Sequence, residues 1–213
     1  MIINNKLQRA VSVDEMLKMK FDVMDFEGDF KSLVGTPECA GSWIIWGQSG
    51  NGKTRFTLQL AKYLTKFSRV VYNSLEEGQK LSFQKAVKET NMRSVNGKFI
   101  IVNEPIEQLS FRLKKRKAPK IAIIDSIQYS NLDKIKYAKL LNEHPNVLFI
   151  FISHAEGKKP KGSTADAVRY HSDVKIHVEG YRAVATSRFG GGTPYTIWEE
   201  GAENYWGINA KEQ

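Results

Sequence analysis

Along the chain, short continuous apolar runs alternate with stretches whose apolar residues recur every three or four positions. That pattern predicts buried strands separated by amphipathic helices. The strand-like runs are Trp43-Ile44-Ile45-Trp46 and residues 69–74, 98–102, 121–124 and 147–152. Helical spacing places Phe56, Leu60, Tyr63, Leu64 and Phe67 on one face, continues in a polar segment to about residue 91, resumes after Pro105, and returns in Ile135, Ala138 and Leu141. A short helix is expected over residues 165–170. Continuous apolar strands between helices imply a parallel sheet covered on both faces, with ligands held outside the carboxyl ends of the strands. Residues 173–178, 182–189 and 195–198 alternate instead, which predicts an antiparallel C-terminal extension. The expected fold class is α/β, a mainly parallel sheet with helices on both faces.

The N-terminal region reads differently. Ser12-Val13-Asp14-Glu15 has the form of a capping box, and Val13, Met16, Leu17 and Phe21 follow at helical spacing. Such a helix has its own domain or a neighbouring subunit to pack on. Residues 22–40 carry Gly28, Gly35 and Pro37, so an irregular approach is expected. The division is an arm and lead-in over residues 1–40 and one domain over 41–213. Apolar content of 41% and charged content of 26% exclude wholesale disorder. Cys39, the lone cysteine, excludes a disulfide framework and a four-cysteine zinc site, and fits a reducing compartment. The sequence shows neither an apolar signal core nor a membrane-length run, so the expectation is a cytoplasmic protein without a membrane partner.

Between the first strand and its helix stands Gly47-Gln48-Ser49-Gly50-Asn51-Gly52-Lys53-Thr54, the G-x-x-x-x-G-K-T phosphate-binding loop. Its glycines let backbone N–H groups turn inward at a helix mouth, where the macrodipole favours negative charge. Lys53 is expected to reach the β- and γ-phosphates and the Thr54 hydroxyl to bind Mg2+. With Arg55, these residues form the expected nucleotide-binding set.

Polar residues end three strands. Asp125 closes Ile121-Ala122-Ile123-Ile124 in the Walker B manner and is expected to hold Mg2+ opposite Thr54. Glu76 and Glu77 close the strand after the P-loop helix, and from the residues alone either suits a general base. His154 ends the strand after Asp125, where a donor can register a γ-phosphate. Net charge is +9, from 32 basic and 23 acidic residues, which is compatible with a polyanionic partner beyond the nucleotide. The cations cluster at Arg112, Lys114, Lys115, Arg116, Lys117 and Lys120, and again at Lys158, Lys159 and Lys161.

Taken together, the P-loop, Asn73-Ser74-Leu75-Glu76-Glu77, Ile123-Ile124-Asp125-Ser126-Ile127-Gln128, Ile152-Ser153-His154 and Ser187-Arg188-Phe189-Gly190 resemble the RecA-like ATPases. The likeness is strongest to the RadA/Sms branch and more distant to DnaB-type helicase motors, and it covers residues 41–200. It implies an ATP- and Mg2+-dependent ATPase that assembles into a ring or filament and engages DNA, single-stranded above all. It further implies Glu76 as catalytic glutamate, His154 as γ-phosphate sensor, and two DNA-facing loops, the second being residues 155–164 with Lys158, Lys159 and Lys161. Arg188 falls in the block that RadA/Sms writes Lys-Asn-Arg-Phe-Gly, which implies an arginine finger reaching a neighbouring subunit's ATP. Here Thr186 and Ser187 replace the Lys and Asn, so one cation is missing. The zinc module and Lon-like domain of RadA/Sms and the N-terminal domain of DnaB are expected to be absent. The alternative is a nucleotide-gated assembly or regulatory protein with a protein partner, as among KaiC-like relatives. A small-molecule kinase fits less well, because Glu76 and the Arg-Phe-Gly block suit water activation and oligomeric hydrolysis.

Overall fold

The apolar runs become the middle of one sheet. The computed structural model describes residues 9–207. Strands β1 (Gly41–Gly47), β2 (Val70–Ser74), β3 (Phe99–Val102), β4 (Ile121–Asp125), β5 (Leu148–Glu156) and β7 (Val174–Glu179) run parallel in the order β3-β2-β4-β5-β1-β7. Strands β8 (Arg182–Ser187) and β9 (Tyr195–Thr196) extend the sheet antiparallel, and β6 (Lys159–Pro160) pairs back on β5. The antiparallel extension therefore starts one strand later than expected, because β7 lies parallel to β1 with Trp43 opposite Val174.

Side chains alternate across the strands, so the sheet has two cores. Val70, Tyr72, Ile121, Ile123 and Ile150 bury one face beneath helices α2 (Gly28–Val34), α3 (Lys53–Leu64) and α4 (Leu81–Glu89). Val71, Ala122, Ile124, Phe149 and Phe151 bury the other beneath α5 (Ile106–Leu113), α6 (Lys134–Glu143) and α7 (Ser163–His171). Among the described residues no helix is long and apolar enough to cross a membrane.

Several expectations need correction. Residues 22–40 are not an irregular lead-in, since α2 forms there and buries Phe30, Leu33 and Val34. Met24 and Phe26 join the same core, so the packed domain begins well before residue 40. Helix α1 (Val13–Lys18) forms with its capping box complete, Glu15 N–H donating to Ser12 Oγ at 3.2 Å and Ser12 N–H to Glu15 Oε2 at 2.9 Å. Among the described residues α1 buries none of its side chains, leaving Met16 and Leu17 54% and 79% exposed. In α6 the buried residues are Tyr137 and Leu140, with Leu141 half-buried against the same core, while Ile135 and Ala138 are exposed. A C-terminal helix, α8 (Glu199–Trp206), follows the sheet.

Candidate nucleotide site

Strand β1 delivers the P-loop to the carboxyl edge of the sheet, where Gly47 pairs with His154 of β5 and Ser74 of β2 pairs with Asp125 of β4. Two glycines have no substitute. A Cβ at Gly47 would run into the Val178 carbonyl on β7, and Gly52, at φ +94°, lies under the Tyr181 ring. The loop is braced by the turn between β7 and β8, where Gly180 N–H donates to Asn51 Oδ1 at 2.7 Å and Tyr181 N–H to the Asn51 carbonyl at 3.3 Å. Asn51 therefore supports the loop from behind. Ser49, Gly50, Gly52, Lys53, Thr54 and Arg55 line a cavity of about 280 Å3, and Glu76, Glu77, Asp125, His154 and Tyr181 line it as well.

Gly47 and Gln48 do not line the cavity; Gln48 instead receives the Lys53 ammonium on its carbonyl at 2.9 Å. Burial lowers the Lys53 pKa, while Glu76 and Asp125 oppose that shift. The Arg55 guanidinium lies 5.4 Å from the Trp198 ring centroid, and its Nε is buried without a hydrogen-bond partner among the described residues.

Asp125 is 6% exposed. Tyr72, fully buried in β2, donates its hydroxyl to Asp125 Oδ2 at 2.5 Å. Burial raises the Asp125 carboxyl to about 6, with Glu76 and Glu77 adding to the rise and the Tyr72 hydroxyl and Lys53 opposing it. The Thr54 hydroxyl has no hydrogen-bond partner among the described residues, and only one Asp125 oxygen is taken. A free hydroxyl and a desolvated carboxylate in one cavity fit a hard divalent cation shared with phosphate oxygens. Among the described residues no group of three or more His, Cys, Asp or Glu side chains could hold a metal unaided.

The two glutamates separate by position. Leu75 and Glu76 N–H groups both donate to the Asp125 carbonyl, at 2.6 and 3.0 Å, which sets Glu76 beside the Walker B strand. Glu76 Oε2 lies 3.0 Å from His154 Nε2. The Glu77 carboxylate instead accepts the Ser82 hydroxyl at 2.6 Å, at the start of α4.

The loop expected over residues 155–164 is mostly regular structure. Strand β5 continues through Glu156, turns, and returns as β6, and α7 starts at Ser163. Lys158, Lys159 and Lys161 are exposed on this hairpin. Gln128 ties the hairpin to the site. It accepts from the His154 N–H at 3.2 Å and donates to Ser153 Oγ at 2.9 Å and the Lys161 carbonyl at 2.8 Å. Trp46 of β1 also donates its indole N–H to the Lys158 carbonyl at 3.1 Å.

Arg188 is not brought to this cavity. It follows β8 at the opposite end of the sheet and lies 3.5 Å from Asp173, which precedes β7. Tyr72, Tyr181 and Gln128 carry parts of the site that the sequence left without a role. The Gly180-Tyr181 pair at a strand boundary was the available signal for Tyr181; Tyr72 read as an ordinary strand former.

No family model matches the chain, and no curated protein matches it by sequence. Solved structures do match. The flagellar accessory protein FlaH from Methanocaldococcus jannaschii aligns with a TM-score of 0.58 at 15% identity, over 83% of this chain and 92% of its own. The KaiC-like protein PH0186 from the hyperthermophilic archaeon Pyrococcus horikoshii OT3 aligns with a TM-score of 0.55 at 17% identity, over 78% and 89%. At such identities the likeness shows the fold, and that fold is the RecA-like P-loop architecture with antiparallel strands at its C-terminal side.

Proposed function

We propose that this chain is a Mg2+-dependent, RecA-like ATPase that acts on DNA, chiefly single-stranded, as an assembly of identical subunits in the cytoplasm. The supporting observation is the convergence of Lys53, Thr54, Glu76, Asp125 and His154 on one cavity at the mouth of α3. Backbone N–H groups at the start of α3 receive the phosphate oxygens. Lys53 leaves the Gln48 carbonyl and carries its charge to the β- and γ-phosphates. Thr54 and, through water, Asp125 would hold Mg2+, which would supply charge neutralisation to the phosphate tail. Glu76 takes the proton of the attacking water; Glu77, which also lines the cavity, has its carboxylate engaged by the Ser82 hydroxyl. His154, now against Glu76, exchanges that carboxylate for a γ-phosphate oxygen, and Gln128 passes the shift to the lysine-bearing hairpin. The more specific RadA/Sms relation rests on the motif residues alone.

The test is ATP turnover with and without single-stranded DNA, at two protein concentrations. Turnover is expected to rise with DNA and, per subunit, with concentration. Lys53→Ala should abolish it, and Glu76→Gln should keep ATP binding while slowing turnover about a hundredfold or more. Equal turnover with and without DNA would sink the DNA reading. The second reading is then a nucleotide-gated assembly protein of KaiC-like type with a protein partner, which the match to a structure named KaiC-like favours.

A further inference from the structure

The far end of the sheet carries a basic surface that the nucleotide site does not use. Val70 pairs with Phe99 on one side and Ile121 on the other. The residues just before them, Arg69, Lys98 and Lys120, therefore stand side by side at the amino ends of neighbouring strands, roughly 4.8 Å apart from strand to strand. All three cations lie just outside the strands, in the connections that enter β2, β3 and β4 at this end of the sheet. The turn after α5 brings Lys115, Arg116 and Lys117 to the same end, with Lys117 in the left-handed region at φ 59°.

All six cations are exposed, and among the described residues none of them pairs with a carboxylate. The negative end of the α5 dipole accounts for cations just past that helix. It does not account for Arg69, Lys98 and Lys120, which the sheet order gathers from three separate connections. A one-sign field along an edge attracts a polyanion. Phe111 of α5 adds an aromatic face: it is 67% exposed, with the Lys115 ammonium 5.2 Å from its centroid. A base stacked on an aromatic ring beside backbone-tracking cations is how unpaired strands are held. A bilayer would ask for a broad apolar face around the cations, and Phe111 is the sole large apolar side chain that α5 exposes.

We propose that this edge is a second anchorage for single-stranded nucleic acid, with the six cations along its phosphates and one base on Phe111, at the opposite end of the sheet from the P-loop. It goes beyond the DNA reading above, because it needs neither the hairpin nor bound ATP. The experiment is fluorescence anisotropy of a labelled oligothymidylate with the full chain, titrated over a range of salt. Two variants reverse charge, one combining Lys115→Glu, Arg116→Glu and Lys117→Glu, the other Arg69→Glu, Lys98→Glu and Lys120→Glu. Each is expected to bind at least about tenfold more weakly, with a salt slope smaller by about two, at roughly 0.7 per lost contact. Phe111→Ala should weaken binding about fivefold or more and leave the slope alone. Where a Glu variant fails to fold by circular dichroism, the matching Gln variant supplies the slope.

Unchanged affinity and slope in both charge variants, with binding lost in the Lys158→Ala, Lys159→Ala, Lys161→Ala variant, would overturn this anchorage and leave the hairpin reading standing. The reverse pattern supports the anchorage and removes the hairpin. An oligonucleotide that binds neither end overturns both. Charge variants that lose phosphatidylserine vesicles but keep the oligonucleotide would make this edge a membrane surface, which also overturns the proposal.

Discussion

At the scale of single residues, Asp125 meets two demands of opposite sign. Burial raises its carboxyl from an ordinary 3.8 to about 6, so the folded chain holds that proton more tightly than the unfolded chain does. The resulting stability is fully present below about pH 4 and is lost as pH rises through about 6, and two units of displacement amount to about 3 kcal/mol. Asp125→Asn removes the ionisation and can still accept the Tyr72 hydroxyl. At pH 7.5 the variant is therefore expected to be more stable than the parent by up to about 3 kcal/mol, with the difference fading towards pH 4. Urea midpoints over that range, without metal, measure it; a difference that does not change with pH would show that burial does not strain the carboxylate. On the proposed role of Asp125, Mg2+ affinity should run the other way, because the metal needs the ionised form. It is expected to weaken as pH falls through 6 and to be lower in the variant at every pH, as calorimetric Mg2+ titration measures. Fixed spacing made Lys53, Thr54 and Asp125 readable, since a P-loop and a strand-ending carboxylate carry their geometry in the backbone. The Tyr72 partnership depends on a hydroxyl crossing between paired strands, and a tyrosine in an apolar run does not announce it.

At the scale of elements, the central strands were readable and their surroundings less so. Strand β4 ends at Asp125 as its apolar run indicates, because a strand buried on both faces tolerates no polar interruption. Strand β5 outruns the reading, since Ser153 and His154 look like an end, yet Gln128 partners both and β6 pairs with Ala155 and Glu156 beyond them. Helix α2 was hidden by Gly28 and Gly35, which read as breakers but are its first residue and its C-cap. Ile135, Ala138 and Leu141 mark α6 correctly, yet Tyr137 serves its core because the hydroxyl reaches Ser42 at 2.9 Å, while Ile135 stays 81% exposed. The hairpin yields the prediction proper to this scale. Gln128 bridges the His154 N–H to the Lys161 carbonyl beside the direct Lys161 N–H to His154 carbonyl bond of 2.8 Å, so Gln128→Ala should leave DNA-free ATP turnover near the parent value while loosening the hairpin's response to the site. The ratio of DNA affinities with and without a non-hydrolysable ATP analogue is expected to fall towards one. A ratio equal to the parent's would show that nucleotide state reaches DNA by another route.

At the scale of the whole molecule, the sheet keeps Arg188 away from its own nucleotide. Arg188 follows β8 and stands against Asp173 at the amino end of β7, whereas the P-loop leaves the carboxyl end of β1. The seven residues of β1 alone span roughly 20 Å. A guanidinium so placed completes an ATP site only across a head-to-tail contact between copies. The arm points the same way, because Val13 and Leu17 of α1 stay 76% and 79% exposed on their own domain and offer apolar surface to a neighbour. If Arg188 acts in trans, Lys53→Ala and Arg188→Ala are each inactive but complementary. An Arg188→Ala subunit keeps a sound P-loop, and a Lys53→Ala neighbour lends it the arginine. Equal mixing makes about one interface in four complete, so turnover should return to about a quarter of the parent value and vanish on dilution. Adding Leu17→Glu to both partners should prevent the recovery without changing ATP binding. A mixture that stays inactive at every concentration, while each variant still assembles by light scattering, would confine Arg188 to its contact with Asp173 and remove it from catalysis.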